Sequence, residues 1–225
     1  MLHYIEQGKG EVLILLHGNG ESLEYFAHQI AYFSHDYRVI AVDTRGHGQS
    51  PRGEDPFTLE QFAEDLKEFM DSLRIKKAHI LGFSDGGNIA MMFALWYPER
   101  VHSLILNGAN LDPLGVKWSV QAPVVLQYEI ARRFARRNAA ARRKAELLSL
   151  MVNEPNIPPE ALSRLTMPTL VIAGDRDMIK DSHTCLIASS LPQGQMVILP
   201  GTHFIASENP VAFNAAVEQF LKGVG

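Results

Sequence analysis

A single cysteine, Cys185, leaves the chain unable to form an internal disulfide. Its neighbours Thr184, Leu186 and Ile187 suggest a core position on a helix, with a reactive thiol as the alternative reading. No apolar run approaches the roughly eighteen residues of a membrane span. Residues 1–10 lack both the basic start and the apolar centre of a secretory signal, so a cytoplasmic protein is expected. Net charge is small: 21 basic against 25 acidic residues give −4. That balance offers no general attraction to nucleic acid or an anionic membrane, and neither is expected as a partner. A P-loop and a dinucleotide fingerprint are both missing, which argues against a nucleotide-dependent enzyme. Internal repeats and low-complexity segments are absent too, which excludes a solenoid or a long disordered region.

What is present is 46% hydrophobic residues in 225, enough for one α/β domain with a large core. Short apolar runs at Val12 to Leu16, Val39 to Val42, Ala78 to Leu81, Val101 to Leu106, Thr169 to Ala173 and Met196 to Leu199 read as parallel strands buried on both faces. Helical stretches alternate with them. Ser22 to Phe33 comes first, then Thr58 to Leu73, which places Leu59, Phe62, Leu66, Phe69 and Met70 on one face. Others are expected over Asn88 to Tyr97, from near Asp181, and over Pro210 to Leu221 with Val211, Phe213, Val217 and Phe220 inward. The alternation stops between Asn110 and Thr166, where prolines and an arginine-rich helical stretch read as an inserted lid. The expected division is a core of residues 1–109 and 167–225 with a helical cap of 110–166. Arg132, Arg133, Arg136, Arg137, Arg142, Arg143 and Lys144 crowd the cap. They read either as a solvated face or as an attraction for an acidic partner or substrate.

The run Ala78 to Leu81 leads into Gly82-Phe83-Ser84-Asp85-Gly86 and then directly into a helical segment. Strand, sharp turn and helix form a nucleophile elbow, which holds its serine in strained backbone angles and needs glycine where strand and helix approach. An ordinary glycine-rich turn is the plainer reading. Ser84 requires a base, and the base requires an acid. His203, just past the last strand and at the same sheet edge, is the best base among nine histidines. His17 also ends a strand but reads as a structural hydrogen-bonder. For the acid, Asp177 in Gly174-Asp175-Arg176-Asp177 is favoured over Asp175, because a residue further past the strand reaches across to His203; Asp112 is a third candidate. The oxyanion hole is assigned to the amides of Asp85 and Asn19.

These stretches, with Asp43-Thr44-Arg45-Gly46-His47-Gly48-Gln49-Ser50 and Gly201-Thr202-His203-Phe204, resemble the α/β-hydrolase fold over nearly the whole chain. The resemblance implies a mostly parallel sheet flanked by helices, Ser84 as nucleophile, Asp177 as acid and His203 as base. It gives Asp43 to Ser50 the role of holding the active-site edge together. Gly82 to Gly87, with Asn107-Gly108-Ala109-Asn110, is further similar to the branch that includes valacyclovir hydrolases, which favour α-amino acid esters. One departure is that a single candidate strand, near His3 to Glu6, precedes Val12, which leaves the strand count open.

The expected function is hydrolysis of a small-molecule carboxylic ester through an acyl-enzyme, with no metal or organic cofactor implied. Carbon–carbon bond hydrolysis or perhydrolysis by the same triad is the alternative, and a receptor-like protein with little turnover is the non-enzymatic one. Asp85 carries a second expectation. A carboxylate in the first turn of a helix is stabilised by the helix dipole. Beside an oxyanion hole it is better understood as a substrate-binding group for a cation.

Overall fold

The computed structural model describes residues 1–224. The apolar runs form one seven-stranded sheet among the described residues. In chain order the strands are Tyr4–Gln7 (β1), Val12–Leu16 (β2), Arg38–Val42 (β3), Ala78–Phe83 (β4), Val101–Asn107 (β5), Thr169–Gly174 (β6) and Gly194–Leu199 (β7). Their spatial order is β1-β3-β2-β4-β5-β6-β7, with β1 antiparallel to β3 and every other pair parallel. One strand therefore precedes β2, and it caps the sheet edge beside β3.

Successive side chains of a strand point to opposite faces, and both faces are covered here. Ile14, Leu16, Ile40, Ile80 and Leu104 belong to a core shared with Leu59–Ser72 (α2) and Asp85–Trp96 (α3). Leu13, Leu15, Val39, Leu81 and Ile105 belong to a second core on the other face. It is completed by Ala27–Phe33 (α1), which follows a 3-10 turn at Leu23–Phe26, and by the last helix, Pro210–Lys222. The α2 helix buries all five residues its spacing predicts. Its start is fixed by Thr58, whose Oγ1 accepts the Gln61 amide at 3.2 Å, a cap of about 1 kcal/mol.

Between β5 and β6 the chain forms a helical hairpin, Trp118–Phe134 (α4) and Ala139–Asn153 (α5), flanked by 3-10 turns at Pro113–Gly115 and Pro159–Arg164. Polar contacts join the hairpin to the core: Arg52 to Glu146 at 2.9 and 3.1 Å, Arg143 to the Gly46 carbonyl at 3.1 Å, and Asn19 Nδ2 to the Leu147 carbonyl at 2.7 Å. The seven basic side chains of Arg132 to Lys144 are all exposed.

The chain closes with Asp181–Ser190 (α6), Ile205–Glu208 (α7) and Pro210–Lys222 (α8). Two burial expectations fail here. Cys185 is exposed, because α6 turns His183, Thr184 and Ile187 inward and Cys185 lies across the helix from the middle of that face. Val211, in the first turn of α8, is 82% exposed, while Phe213, Val217 and Phe220 are buried as expected. The last strand also departs from a run buried on both faces. As the outermost member of the sheet, β7 leaves Met196 and Ile198 exposed.

Candidate active site

The carboxyl ends of β2, β4, β5 and β6 and the loop after β7 converge on one point, where open parallel sheets place their sites. Ser84 follows β4 directly and sits at φ 52°, ψ −121°, a left-handed backbone that a side chain rarely adopts. Three amides hold it there: Ser84 N–H donates to the Asn107 carbonyl at 2.8 Å, and Gly87 and Asn88 donate to the Ser84 carbonyl at 2.8 and 3.1 Å. Any Cβ at Gly82 would run into the Gly86 backbone, and one at Gly86 into the Leu16 carbonyl, so the close approach requires both glycines. The helix begins at Asp85, which puts this carboxylate in its first turn, as the sequence implies.

His203 Nδ1 lies 2.7 Å from Asp177 Oδ1, and both residues are buried. Asp177 is fixed in turn: Oδ1 also accepts the Ile179 amide at 2.9 Å, and its carbonyl accepts Lys117 Nζ at 2.6 Å. The two competing carboxylates are occupied elsewhere. Asp175 accepts the Gly201 amide at 2.9 Å, and Asp112 accepts the Leu114 amide at 2.7 Å. His203 Nε2 is buried with no hydrogen-bond partner, and its ring packs on Phe83 with centroids 4.8 Å apart. The seat of this pair includes a residue whose part the sequence does not disclose. Gly108, at φ +60°, runs so close that a Cβ there would stand 2.7 Å from His203 Cε1 and 3.3 Å from Asp177 Oδ2.

His17 behaves as a structural group. Its Nε2 accepts the Thr44 amide at 3.1 Å, so Nδ1 carries the proton and donates to the Gly18 carbonyl at 2.7 Å. Burial pushes its pKa down to about 4, and it stays neutral while bracing the loop that carries Asn19. The loop after β3 is braced likewise, Asp43 accepting the amides of Leu23 and Gln49 at 2.8 and 2.9 Å.

Ser84, His203, Asn19 and Asp85 all line a cavity of about 210 Å³. Its apolar walls include Phe83, Val116, Met151, Met178, Ile179 and Phe204, and its charged lining is wholly acidic apart from His203: Asp85, Glu21 and Glu154. None of the exposed arginines reaches it. Asp85 is buried, with Oδ1 3.3 Å from Asn88 Nδ2 and Oδ2 unpartnered. Burial raises its pKa to about 7, helped by the Glu154 charge and opposed by His203 and Asn88. Glu154 is itself shifted upward by burial, although Oε2 accepts the Leu59 amide at 2.7 Å. Asn88 links this corner to the loop after β5 by accepting the Asn110 amide at 2.9 Å. Glu21 and Glu154 belong to no motif, so nothing in the sequence marks them as cavity residues.

A model of the alpha/beta hydrolase fold family matches residues 11–147, and the chain belongs to that family. It is 28% identical to the 3-oxoadipate enol-lactonase 2 of Acinetobacter baylyi, over 98% of this chain and 93% of that protein. It is equally 28% identical to the serine hydrolase BPHL of Homo sapiens, over 98% of this chain and 83% of that protein. Among solved structures, a hydrolase from Pseudomonas aeruginosa PA01 superposes with a TM-score of 0.80 at 29% identity, covering 98% of this chain and 94% of that one. The protein is a hydrolase, and its resemblance to the valacyclovir hydrolase branch is carried by the human relative.

Proposed function

We propose that the protein hydrolyses small carboxylic esters by a serine mechanism, and that α-amino acid esters are its preferred substrates. The observation that carries the chemistry is the buried His203–Asp177 pair, which leaves one imidazole nitrogen unpartnered beside the cavity that Ser84 lines. Ser84 Oγ attacks the ester carbonyl while His203 Nε2 takes its proton; Asp177 accepts from Nδ1–H and stabilises the imidazolium. The tetrahedral oxyanion is held by the amides of Asp85 and Asn19. Asp85 stands at the first position of α3, where the helix itself supplies no acceptor for the N–H. His203 then gives the proton to the leaving alcohol, and water attacks the acyl-enzyme by the same route in reverse. Residues 110–166 act as the cap that roofs the cavity, with Asn110, Val116, Met151 and Glu154 as its contributions.

The preference for a cationic substrate rests on the acidic lining. A carboxylate and an ammonium about 5 Å apart attract by about 3 kcal/mol at an effective dielectric near 20, before desolvation reduces it. A surviving ~1–2 kcal/mol corresponds to roughly five- to thirtyfold selectivity. The test is a fluorophosphonate probe followed by paired turnover of an alanine ester and the matching propionate ester. Labelling at Ser84 with faster alanine-ester hydrolysis supports the reading. An unlabelled protein that still hydrolyses esters rules it out.

A further inference from the structure

The outer face of the α4–α5 hairpin belongs to no part of the proposed chemistry. Of the thirteen large apolar side chains exposed among the described residues, five fall in the short stretch from Leu114 to Phe134. Leu126, Ile130 and Phe134 recur every fourth residue along α4 and are 63%, 52% and 59% exposed, and Trp118 at its start is 75% exposed. The inward face is covered by other residues, Gln121 and Ala131 among them. At the Phe134 end this stripe runs into the hairpin tip. Seven basic side chains lie between Arg132 and Lys144; Arg132 pairs with Glu129 and Arg142 and Arg143 share a cleft with Glu54 and Glu146, which leaves Arg133, Arg136 and Arg137 without an acidic partner among the described residues, in a chain whose total is −4. The small net charge hides this polarity.

We infer that this face docks on the surface of an anionic lipid bilayer. Apolar side chains that enter the acyl boundary, beside basic ones that meet negative headgroups, are the two components of interfacial helix binding. Charge decides against a second copy of the chain as occupant. In a symmetric dimer through α4, parallel helices would set one arginine-rich tip against the other. Antiparallel helices would set each tip near Lys117 and Lys180, whose charges Asp112 and Asp181 balance, so that pairing offers the tip no net attraction. Docking also orients the cavity. Val116, which lines it, lies between the exposed Leu114 and Trp118, so the bilayer meets the protein beside the cavity wall.

Flotation of the purified protein with vesicles tests this, using phosphatidylcholine alone or with about 30% phosphatidylglycerol as the anionic component. Binding is expected on the mixed vesicles only, to weaken as salt is raised, and to shift Trp118 emission to the blue in a Trp96→Phe background. Leu126→Ser with Phe134→Ser should lower the partition coefficient about tenfold through lost apolar insertion. Arg133→Gln with Arg136→Gln and Arg137→Gln should lower it by more than about tenfold and flatten the salt dependence. Turnover of a soluble p-nitrophenyl ester should be unchanged in both variants, which establishes that each is folded. Equal flotation on both vesicle types overturns the inference, as does a stripe variant that binds like the parent. Light scattering that finds a dimer, dispersed by the stripe variant, with no vesicle binding by the parent, assigns the face to a second copy and overturns it as well.

Discussion

Glu154, at the end of α5, raises the proton affinity of Asp85, at the start of α3, although the two reach the cavity from elements far apart in the chain. The Glu154 charge makes Asp85 more costly to ionise, and a bound ammonium would offset it. Removing the Glu154 charge should therefore release part of the shift on Asp85. In Glu154→Gln, NMR titration of the Asp85 carboxyl carbon should give a lower pKa than in the parent; an unchanged value would mean that burial alone sets it.

The stability of the protein should carry the signature of Asp85. Its folded pKa of about 7 lies above the 3.8 of an ordinary aspartate, so ionising it opposes folding. The penalty is absent below the unfolded pKa, grows as pH rises between the two values, and is complete above about 7. Each tenfold change in proton affinity is about 1.4 kcal/mol, which sets an upper limit near 4 kcal/mol. Asp85→Asn should raise Tm at pH 8 and gain little at pH 4. A gain independent of pH would remove the charge from the explanation.

Selectivity should follow pH in a bell. Asp85 ionises near pH 7, and an α-amino group loses its charge near pH 8, so attraction is greatest between them. The ratio of kcat/KM for an alanine ester over a propionate ester should peak at about pH 7.5 and fall on both sides. In Asp85→Asn the ratio should be flat while ester turnover persists. Identical profiles in parent and variant would leave Asp85 with its helix-terminus role alone.

The proposed triad gives an ordered series of losses. Ser84→Ala should lower kcat on the order of a millionfold, and Asp177→Asn by about ten-thousandfold, through loss of the imidazole orientation. Asp175→Asn, which touches only the Gly201 amide and Arg176, should stay within about tenfold. Steady-state kinetics decide it, and a larger loss at Asp175 than at Asp177 would reassign the acid.

Gly108→Ala tests the seat of the pair. The added methyl meets the imidazole edge, and the left-handed backbone costs about 1–2 kcal/mol by itself. Tm should fall, and kcat should fall by about a hundredfold with KM little changed, since displacing His203 spoils orientation more than binding. Unaltered kcat would show that the imidazole has room to move.

Local patterning made the sheet legible. The apolar runs at β2 to β6 all became strands, and the five α2 residues share a face because helical spacing leaves few alternatives. The His203–Asp177 pairing was readable because loops after neighbouring strands meet at one sheet edge. Three readings went astray for physical reasons. Apolar neighbours in sequence put Cys185 in the core, but a helix distributes neighbours around its circumference. Val211 was placed inward by a pattern that does not register where the first turn of α8 leaves the sheet. The run from Met196 to Leu199 reads as buried on both faces, yet as the outermost strand β7 has a neighbour on one side only and leaves Met196 and Ile198 exposed. Glu21, Glu154 and the outward stripe of α4 were invisible for a different reason. The placement of Glu154 and of the stripe depends on how the inserted hairpin lies on the core, and Glu21 becomes a wall only once that hairpin closes over its loop; no local rule specifies this.

The contact of Asn19 Nδ2 with the Leu147 carbonyl ties the roof of the cavity to its floor. One end of the tether is α5; the other is the loop whose amide is proposed to hold the oxyanion. A substrate too bulky for the cavity is expected to displace α5, and through this contact to pull on Asn19. Size exclusion in such a site is felt in turnover as much as in affinity: an oversized ester can bind and still wait, because making room for it disturbs the group that has to meet its transition state.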